Sequence, residues 1–264
     1  MGSPPLDKTQ IQSKLTEPVE IILVDSTTST NDMAKEKIHE VKDSFLLIAT
    51  NKQTAGRGRL GRNFYSEIAH GLYFSLAFQP QTVSLEEIPQ YTVLAAAALV
   101  ETIEKMTGKN LAIKWVNDIF YNGRKISGIL SEMVTTSKVG VVVGIGINFS
   151  GDFKETSEDI QQVAGTLFGS KTPESFNQNE FLRNFIERFN DYHKHFHEKA
   201  FLPIYEEHLL GIGKEVYYFI QNEKYLGTII GINNQGHLKV KKVDGKIEIL
   251  HSHEVHFSSR QFLR

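Results

Sequence analysis

The sequence predicts an α+β protein with a small β-rich unit at its C-terminal end. Three observations predict it. Short β-branched runs and helix-forming stretches intermix along the chain instead of segregating. One helical stretch, residues 90–107, has an alanine-rich apolar middle suited to a core. From about Lys214 the texture changes to short strands divided by turns.

Taken in order, "MGSPP" opens a leader, residues 1–18, expected to be flexible. "VEIILVD" (19–25) is a β-branched strand, and the hydroxyls and Asn31 of "STTSTND" then offer N-caps to a helix through "MAKEKIHEV". "SFLLIAT" (44–50) and "GLYFSLAFQP" (71–80) are the next strands. The buried helix follows, with Pro89 near its start and Gly108 as its stop. "LAIKWVNDIFYNGRKISGILSEMV" reads as two strands around the turn "YNGRK", and "VGVVVGIGINFS" as a strand ending in its glycines. Apolar residues at helical spacing carry one helix through "QNEFLRNFIERFNDYHKHFHEKAF". The turns "QNEK", "NNQG" and "VDGK" then cut the tail into short strands. The expected division is a main domain over 19–211 and a β unit over 212–264.

Composition excludes several function classes. The chain has 264 residues, 40% of them apolar, enough for a sizeable core. A net charge of −2 lacks the basic footprint of most nucleic-acid-binding domains. The absence of cysteine removes disulfides, thiol nucleophiles and Cys-ligated zinc, and suits a reducing cytoplasm. No apolar run is long enough to cross a bilayer, so no membrane partner is expected. The histidine-rich stretches "HKHFH" (193–197) and "HSHEVH" (251–256) lack an acidic or cysteine complement at zinc spacing and are expected to hold no metal.

Three segments carry chemistry. "NKQTAGRGRLGRN" (51–63) places four cations among three glycines without an acid. Gly56, Gly58 and Gly61 leave backbone N–H groups accessible to an anion, and Arg57, Arg59 and Arg62 add planar donor forks. By itself such a loop can clamp nucleic acid, cradle a phosphate, or lie solvated. "KWVNDIFYNGRKISGIL" sets Lys114, Asn117 and Asp118 before a hairpin turn and Lys125 after it. Both lysines can then share a site with a carboxylate suited to holding Mg²⁺ or orienting a lysine. "GIGIN" supplies Gly144, Gly146 and Asn148, glycines that let a flat heterocycle approach and an amide to bond it. Together these are parts for binding a small polar ligand beside a nucleotide.

The order "STN", "QTAGRGRLGR", "GLYFS", "KWVND", "GRKISGIL", "GIGIN" resembles the biotin–protein ligase (biotin–acetyl-CoA-carboxylase ligase) family over nearly the whole chain, from about residue 19 to 262. The motifs are specific in combination and order. The resemblance implies a mixed-sheet, biotin/lipoate-ligase-like catalytic domain with a C-terminal SH3-like β-barrel. It also implies a two-step reaction. Biotin and MgATP give biotinyl-5′-AMP and pyrophosphate, and a carrier-domain lysine then takes the biotin. The implied acceptor is the biotin carboxyl-carrier domain of acetyl-CoA carboxylase or pyruvate carboxylase, and a homodimer is compatible.

Residue roles follow from the resemblance alone. Lys125 would sit where carboxylate and α-phosphate meet, with Arg57, Arg59 and the backbone of Gly56 and Gly58 covering the adenylate beside Arg62 and Phe64. Lys114, Asn117 and Asp118 would serve the ATP phosphates and Mg²⁺. Ser29, Thr30 and Gln53 would meet the biotin ureido ring, with Tyr73, Ser75 and Gly128 lining its pocket and Asn31, Arg57, Gly58, Arg59 and Lys125 also binding biotin. Gly144, Gly146 and Asn148 would border the adenine. Two positions depart from the family pattern: Val116 stands where proline is usual and Phe64 where tryptophan is usual. Phe64 keeps an apolar face but loses area and an N–H donor. Some relatives carry an N-terminal helix-turn-helix. About eighteen residues precede the first strand here, too few for that module, so no sequence-specific DNA binding is expected. Two other readings remain: nucleic-acid binding through the Gly-Arg loop, and a biotin- or lipoate-binding module without catalysis.

Overall fold

A computed structural model describes residues 5–41, 44–66, 70–81, 83–135, 138–221, 223–252 and 255–262. The start of the expected leader, and His253 and Glu254 of the second histidine-rich stretch, lie outside them. The N-terminal helices and strands are α1 (Lys8–Gln12), β1 (Val19–Leu23), α2 (Thr30–Lys37), β2 (Phe45–Thr50) and β3 (His70–Phe78). They are followed by α3 (Gln90–Thr107), β4 (Ala112–Lys114), β5 (Asp118–Tyr121), β6 (Arg124–Thr135) and β7 (Val139–Ser150). Three helices come next, α4 (Glu158–Val163), α5 (Gln178–Lys194) and α6 (Phe201–Glu207). The C-terminal strands are β8 (Glu215–Ile220), β9 (Glu223–Ile232), β10 (Leu238–Lys242), β11 (Ile247–Leu250) and β12 (Val255–His256).

The first seven strands form one mixed sheet, ordered β1-β2-β3-β7-β6-β5-β4, with β1 and β2 parallel and the other pairs antiparallel. Side-chain alternation gives the sheet two faces. Leu72, Phe74, Leu76, Val143, Ile145 and Ile147 point to the back, into a core shared with α3 and α5. Phe74 meets Phe185, and Phe78 meets Tyr91, edge-on at 5.2 Å and 4.9 Å. α2 covers the front through Ala34 and Ile38, which pack with Leu46, Ile48, Ala77 and Val142. The rest of that front face is left for the site.

The buried helix ends as its sequence predicts, on Gly108 in the left-handed region (φ 66°). Three stretches differ from their sequence expectations. Within the leader, α1 is capped by Asp7 and buries Ile11 completely, and Asn179 of α5 bonds the Asp7 amide at 2.9 Å. β7 does not stop at its glycines but runs through them to Ser150, because β6 and β3 pair with it on both sides past Gly144 and Gly146. The helix expected through residue 201 ends at Lys194, and a left-handed Lys199 (φ 57°) separates it from α6.

β8 to β12 form an antiparallel sheet ordered β11-β10-β9-β8-β12. Its inward residues Val216, Ile229, Leu238 and Val240 belong to the same continuous core as the main domain. Trp115 donates its indole N–H to the Gly236 carbonyl at 3.0 Å across the junction. Gly236 is left-handed (φ 78°), and a Cβ there would come within 2.8 Å of Val93 on α3, so glycine permits both the turn and the close docking.

Candidate functional site

The front face of the sheet, the N-terminus of α2, the Gly-Arg loop and residues 255–257 enclose a cavity of about 160 Å³. A larger open groove, about 1140 Å³, lies between the end of α3, the Tyr121–Arg124 turn and the chain around 151–169. Almost none of the predicted residues converge there. The smaller cavity gathers them, and it is the candidate site.

One wall is polar and buried. Ser29 caps α2, accepting from the Asp32 amide at 3.4 Å. Gln53 Oε1 accepts from the Thr30 amide at 2.8 Å and lies 3.2 Å from the Thr30 hydroxyl. Ser75 Oγ lies 2.6 Å from Asn31 Oδ1 and 2.8 Å from Thr30 Oγ1. Gly144 makes room for Asn31: a Cβ on that glycine would fall 1.9 Å from Asn31 Oδ1. Inside the helix, Asn31 therefore serves the wall and leaves the cap to Ser29.

The Gly-Arg loop folds as a small hairpin over this wall. Phe64 donates its amide to Gly56 at 2.9 Å and Gly58 donates to Arg62 at 2.7 Å, around a 3₁₀ turn at Arg59–Gly61. Arg57 pairs with Asp32 on α2 at 2.8 Å. Arg59 reaches across the cavity, donating to Asn117 Oδ1 at 3.2 Å and to the Ser252 carbonyl. Burial lowers its pKa, and the nearby Asp118 opposes that shift. The Phe64 ring lies on the two glycines of the floor, where Cβ atoms would stand 2.7 Å from it at Gly146 and 3.1 Å at Gly128.

The remaining wall is a charge cluster on the β5–β6 hairpin. Asp118 pairs with Lys125 at 2.7 Å and lies 3.9 Å from Lys114. A β-bulge creates this meeting. Asp118 faces Gly128, but the register slips so that Phe120 faces Lys125. Without the extra residue Lys125 would alternate onto the back face with Ser127 and Ile129; the bulge turns it to the front. Burial lowers the Lys114 pKa to about 8, with Lys125, Arg62 and Arg59 adding to the effect and Asp118 opposing it. Lys114 also donates to the Phe257 carbonyl at 3.1 Å and Ser259 Oγ at 2.9 Å, so the C-terminal unit grips the cluster directly. For Asp118, burial alone would raise the pKa, but Lys125 and Lys114 together hold it below the ordinary range. Of the two roles open to this carboxylate, lysine orientation fits. One oxygen is 2.7 Å from the Lys125 ammonium and the other 3.9 Å from that of Lys114.

Known proteins resemble this chain over most of its length. Residues 23–148 match the biotin/lipoate A/B protein ligase family. The bifunctional ligase/repressor BirA of Bacillus spizizenii is 35% identical over 233 residues, covering 85% of this chain and 70% of that one. The chain belongs to the biotin–protein ligase family. Another relative of that family, the biotin–[acetyl-CoA-carboxylase] ligase of Paracoccus denitrificans, is 28% identical over 88% of this chain and 98% of its own. Among solved structures, the Aquifex aeolicus biotin protein ligase in complex with biotin and ATP superposes with a TM-score of 0.72, at 28% identity, covering 90% of this chain and 99% of that one.

Most residues singled out by the biotin–protein ligase resemblance border the cavity. Gly56, Tyr73, Ser75 and Asn148 stand behind its lining instead. Gly56 is pinned beneath Ser66 and Phe64, and Ser75 acts through Thr30 and Asn31. Tyr73 is fully buried with its hydroxyl unpaired among the described residues, and burial raises its pKa. Asn148 donates to the Gly165 carbonyl at 3.2 Å, while its Oδ1 has no partner among the described residues. Sequence reasoning missed Trp115, Ile129, Val255 and Phe257, which also line the cavity. Trp115 and Ile129 sit inside quoted motifs and were legible by proximity. Val255 and Phe257 arrive from more than a hundred residues away and left no local signal.

Proposed function

We propose that this protein activates biotin with MgATP and transfers the biotinyl group to a lysine of a carboxylase biotin carboxyl-carrier domain, that of acetyl-CoA carboxylase first. The observation that carries this reading is the meeting in one cavity of a buried donor–acceptor wall and a cluster of Arg59, Lys114 and Lys125. A ureido ring has two N–H donors and one carbonyl acceptor, which the Thr30, Asn31 and Gln53 wall can satisfy. A carboxylate and a triphosphate are both anions, and the cations lower the cost of bringing them together.

In this reading a biotin carboxylate oxygen bonds to the α-phosphorus and the bond to pyrophosphate breaks. Lys125 neutralises the meeting oxygens, and Lys114, in contact with Asp118, faces the phosphates. The acceptor lysine then attacks the mixed anhydride's carbonyl, AMP departs, and the amine loses its proton. The Gly-Arg loop keeps water from the anhydride meanwhile. The reducing compartment that suits a chain without cysteine is the cytoplasm.

The test is pyrophosphate exchange into ATP, with biotin or lipoate added, followed by mass spectrometry of a carrier domain incubated with protein, biotin and MgATP. Biotin-dependent exchange and a mass gain of one biotinyl group are expected. Exchange with lipoate alone would transfer the assignment to the lipoate branch of the family, and binding without exchange would leave a non-catalytic module.

A further inference from the structure

Glu132 lies on the front face of β6, outside the cavity lining, and is not part of any motif discussed above. Its carboxylate receives the Asn31 side-chain amide at 2.7 Å and pairs with Lys35 of α2 at 2.5 Å. The same Asn31 nitrogen lies 3.2 Å from the Leu130 carbonyl. A carboxylate and a carbonyl can only accept, so the atom facing both must be the NH₂ group, and the Asn31 oxygen must face Ser75 and Gly144. Ser75 has one hydroxyl proton, and an amide oxygen 2.6 Å away can only take it. With that proton spent on Asn31, the 2.8 Å contact to Thr30 Oγ1 can be a hydrogen bond only if Thr30 donates to Ser75, and Gln53 Oε1, 3.2 Å from the same hydroxyl, is then held by the Thr30 amide alone. Gln53 is fixed by the same logic: its oxygen faces the Thr30 amide, leaving its NH₂ as the free donor.

We propose that Glu132 is a positioning residue that sets the donor–acceptor pattern of the ligand wall, and thereby its selectivity for a ureido group. Every proton in the chain Thr30, Ser75, Asn31 points toward Glu132. The wall is left with an Asn31 oxygen and hydroxyl lone pairs as acceptors and one Gln53 amide as donor. That is the complement of two N–H groups beside one carbonyl. A glutamine at 132 can donate instead, which lets the Asn31 amide turn over and present NH₂ where an acceptor stood.

The inference rests on the biotin reading above, and the experiment separates the two. Biotin dissociation constants are measured by calorimetry, and the KM for ATP by exchange, for wild type, Glu132→Gln, Lys35→Met, Ser75→Ala and the Glu132→Gln/Ser75→Ala double variant. Glu132→Gln is expected to weaken biotin about tenfold, the scale of one mispaired buried hydrogen bond, with ATP KM unchanged. Lys35→Met removes the ion pair but keeps the acceptor, and should bind biotin as wild type does. Ser75→Ala breaks the chain further along and should weaken biotin similarly. It also keeps the test open if Glu132→Gln does not fold. The double variant should be little worse than either single one, because both act through one chain. Wild-type biotin affinity in Glu132→Gln or in Ser75→Ala overturns the proposal, as does equal weakening by Lys35→Met or a parallel loss for ATP. A wild-type protein that binds no biotin overturns the functional reading itself.

Discussion

At the scale of single residues, Lys125 is more exposed than Lys114 or Asp118 beside it. Its side chain is 27% accessible, yet it closes the shorter contact to a carboxylate that is buried between two lysines. Lys125→Ala is therefore expected to cut biotin-dependent exchange by at least about a hundredfold, the scale of removing one transition-state cation or donor. Because Lys114 and Arg59 still face Asp118, the stability loss should stay near 1–3 kcal/mol, below the cost of an unpaired buried charge. A folded variant exchanging at the wild-type rate would remove Lys125 from the mechanism. The sequence made this cluster legible because the turn "YNGRK" brings Lys114, Asp118 and Lys125 close together. It did not reveal the bulge that puts Lys125 on the right face. Strict alternation along β6 gives the opposite answer, and nothing in "GRKISG" announces the slipped register.

At the scale of elements, α5 and the Gly-Arg loop make contrasting predictions. His193, near the end of α5, is buried among Phe45, Phe78 and Tyr91, with Tyr91's hydroxyl 2.9 Å from its Nδ1. Burial lowers its pKa to about 4, below its ordinary 6.5. The unfolded chain takes up that proton first, so the folded state loses stability as pH falls from 6.5 toward 4, by roughly 3 kcal/mol in all. His193→Phe should remove this slope in urea unfolding measured across that range, at the cost of a partner for Tyr91. An unchanged slope would exonerate His193. The loop is a short surface hairpin whose Arg57 side chain is 55% accessible. Trypsin should cut at Arg57, Arg59 or Arg62 in the free protein, and biotin plus MgATP should protect them. Equal cleavage under both conditions would mean that the loop is no cover. The helix that the sequence extended too far, through residue 201, kept its apolar spacing past its true end. The interruption came from backbone conformation at Lys199, which spacing does not report.

At the scale of the molecule, the turn-rich tail was legible as β structure, but its attachment was not. Turn spacing in "NNQG" and "VDGK" specifies strands, whereas docking depends on contacts such as Trp115 to Gly236 and Lys114 to Ser259 that join distant segments. With one continuous apolar core and a shared cavity wall, the two units should unfold together. Differential scanning calorimetry is expected to show a single transition whose van't Hoff and calorimetric enthalpies agree. A separate low-temperature transition for residues 212–264 would contradict that. Trp115 gives this coupling an optical signature. It is the chain's only tryptophan, it lines the cavity, and its indole nitrogen bonds the tail. Excited at the long-wavelength edge of its absorption, where the nine tyrosines absorb little, its emission arises from one place. A change in its wavelength on adding ligand reports filling of the cavity, and a shift to the red in urea reports the tail letting go, both without a label.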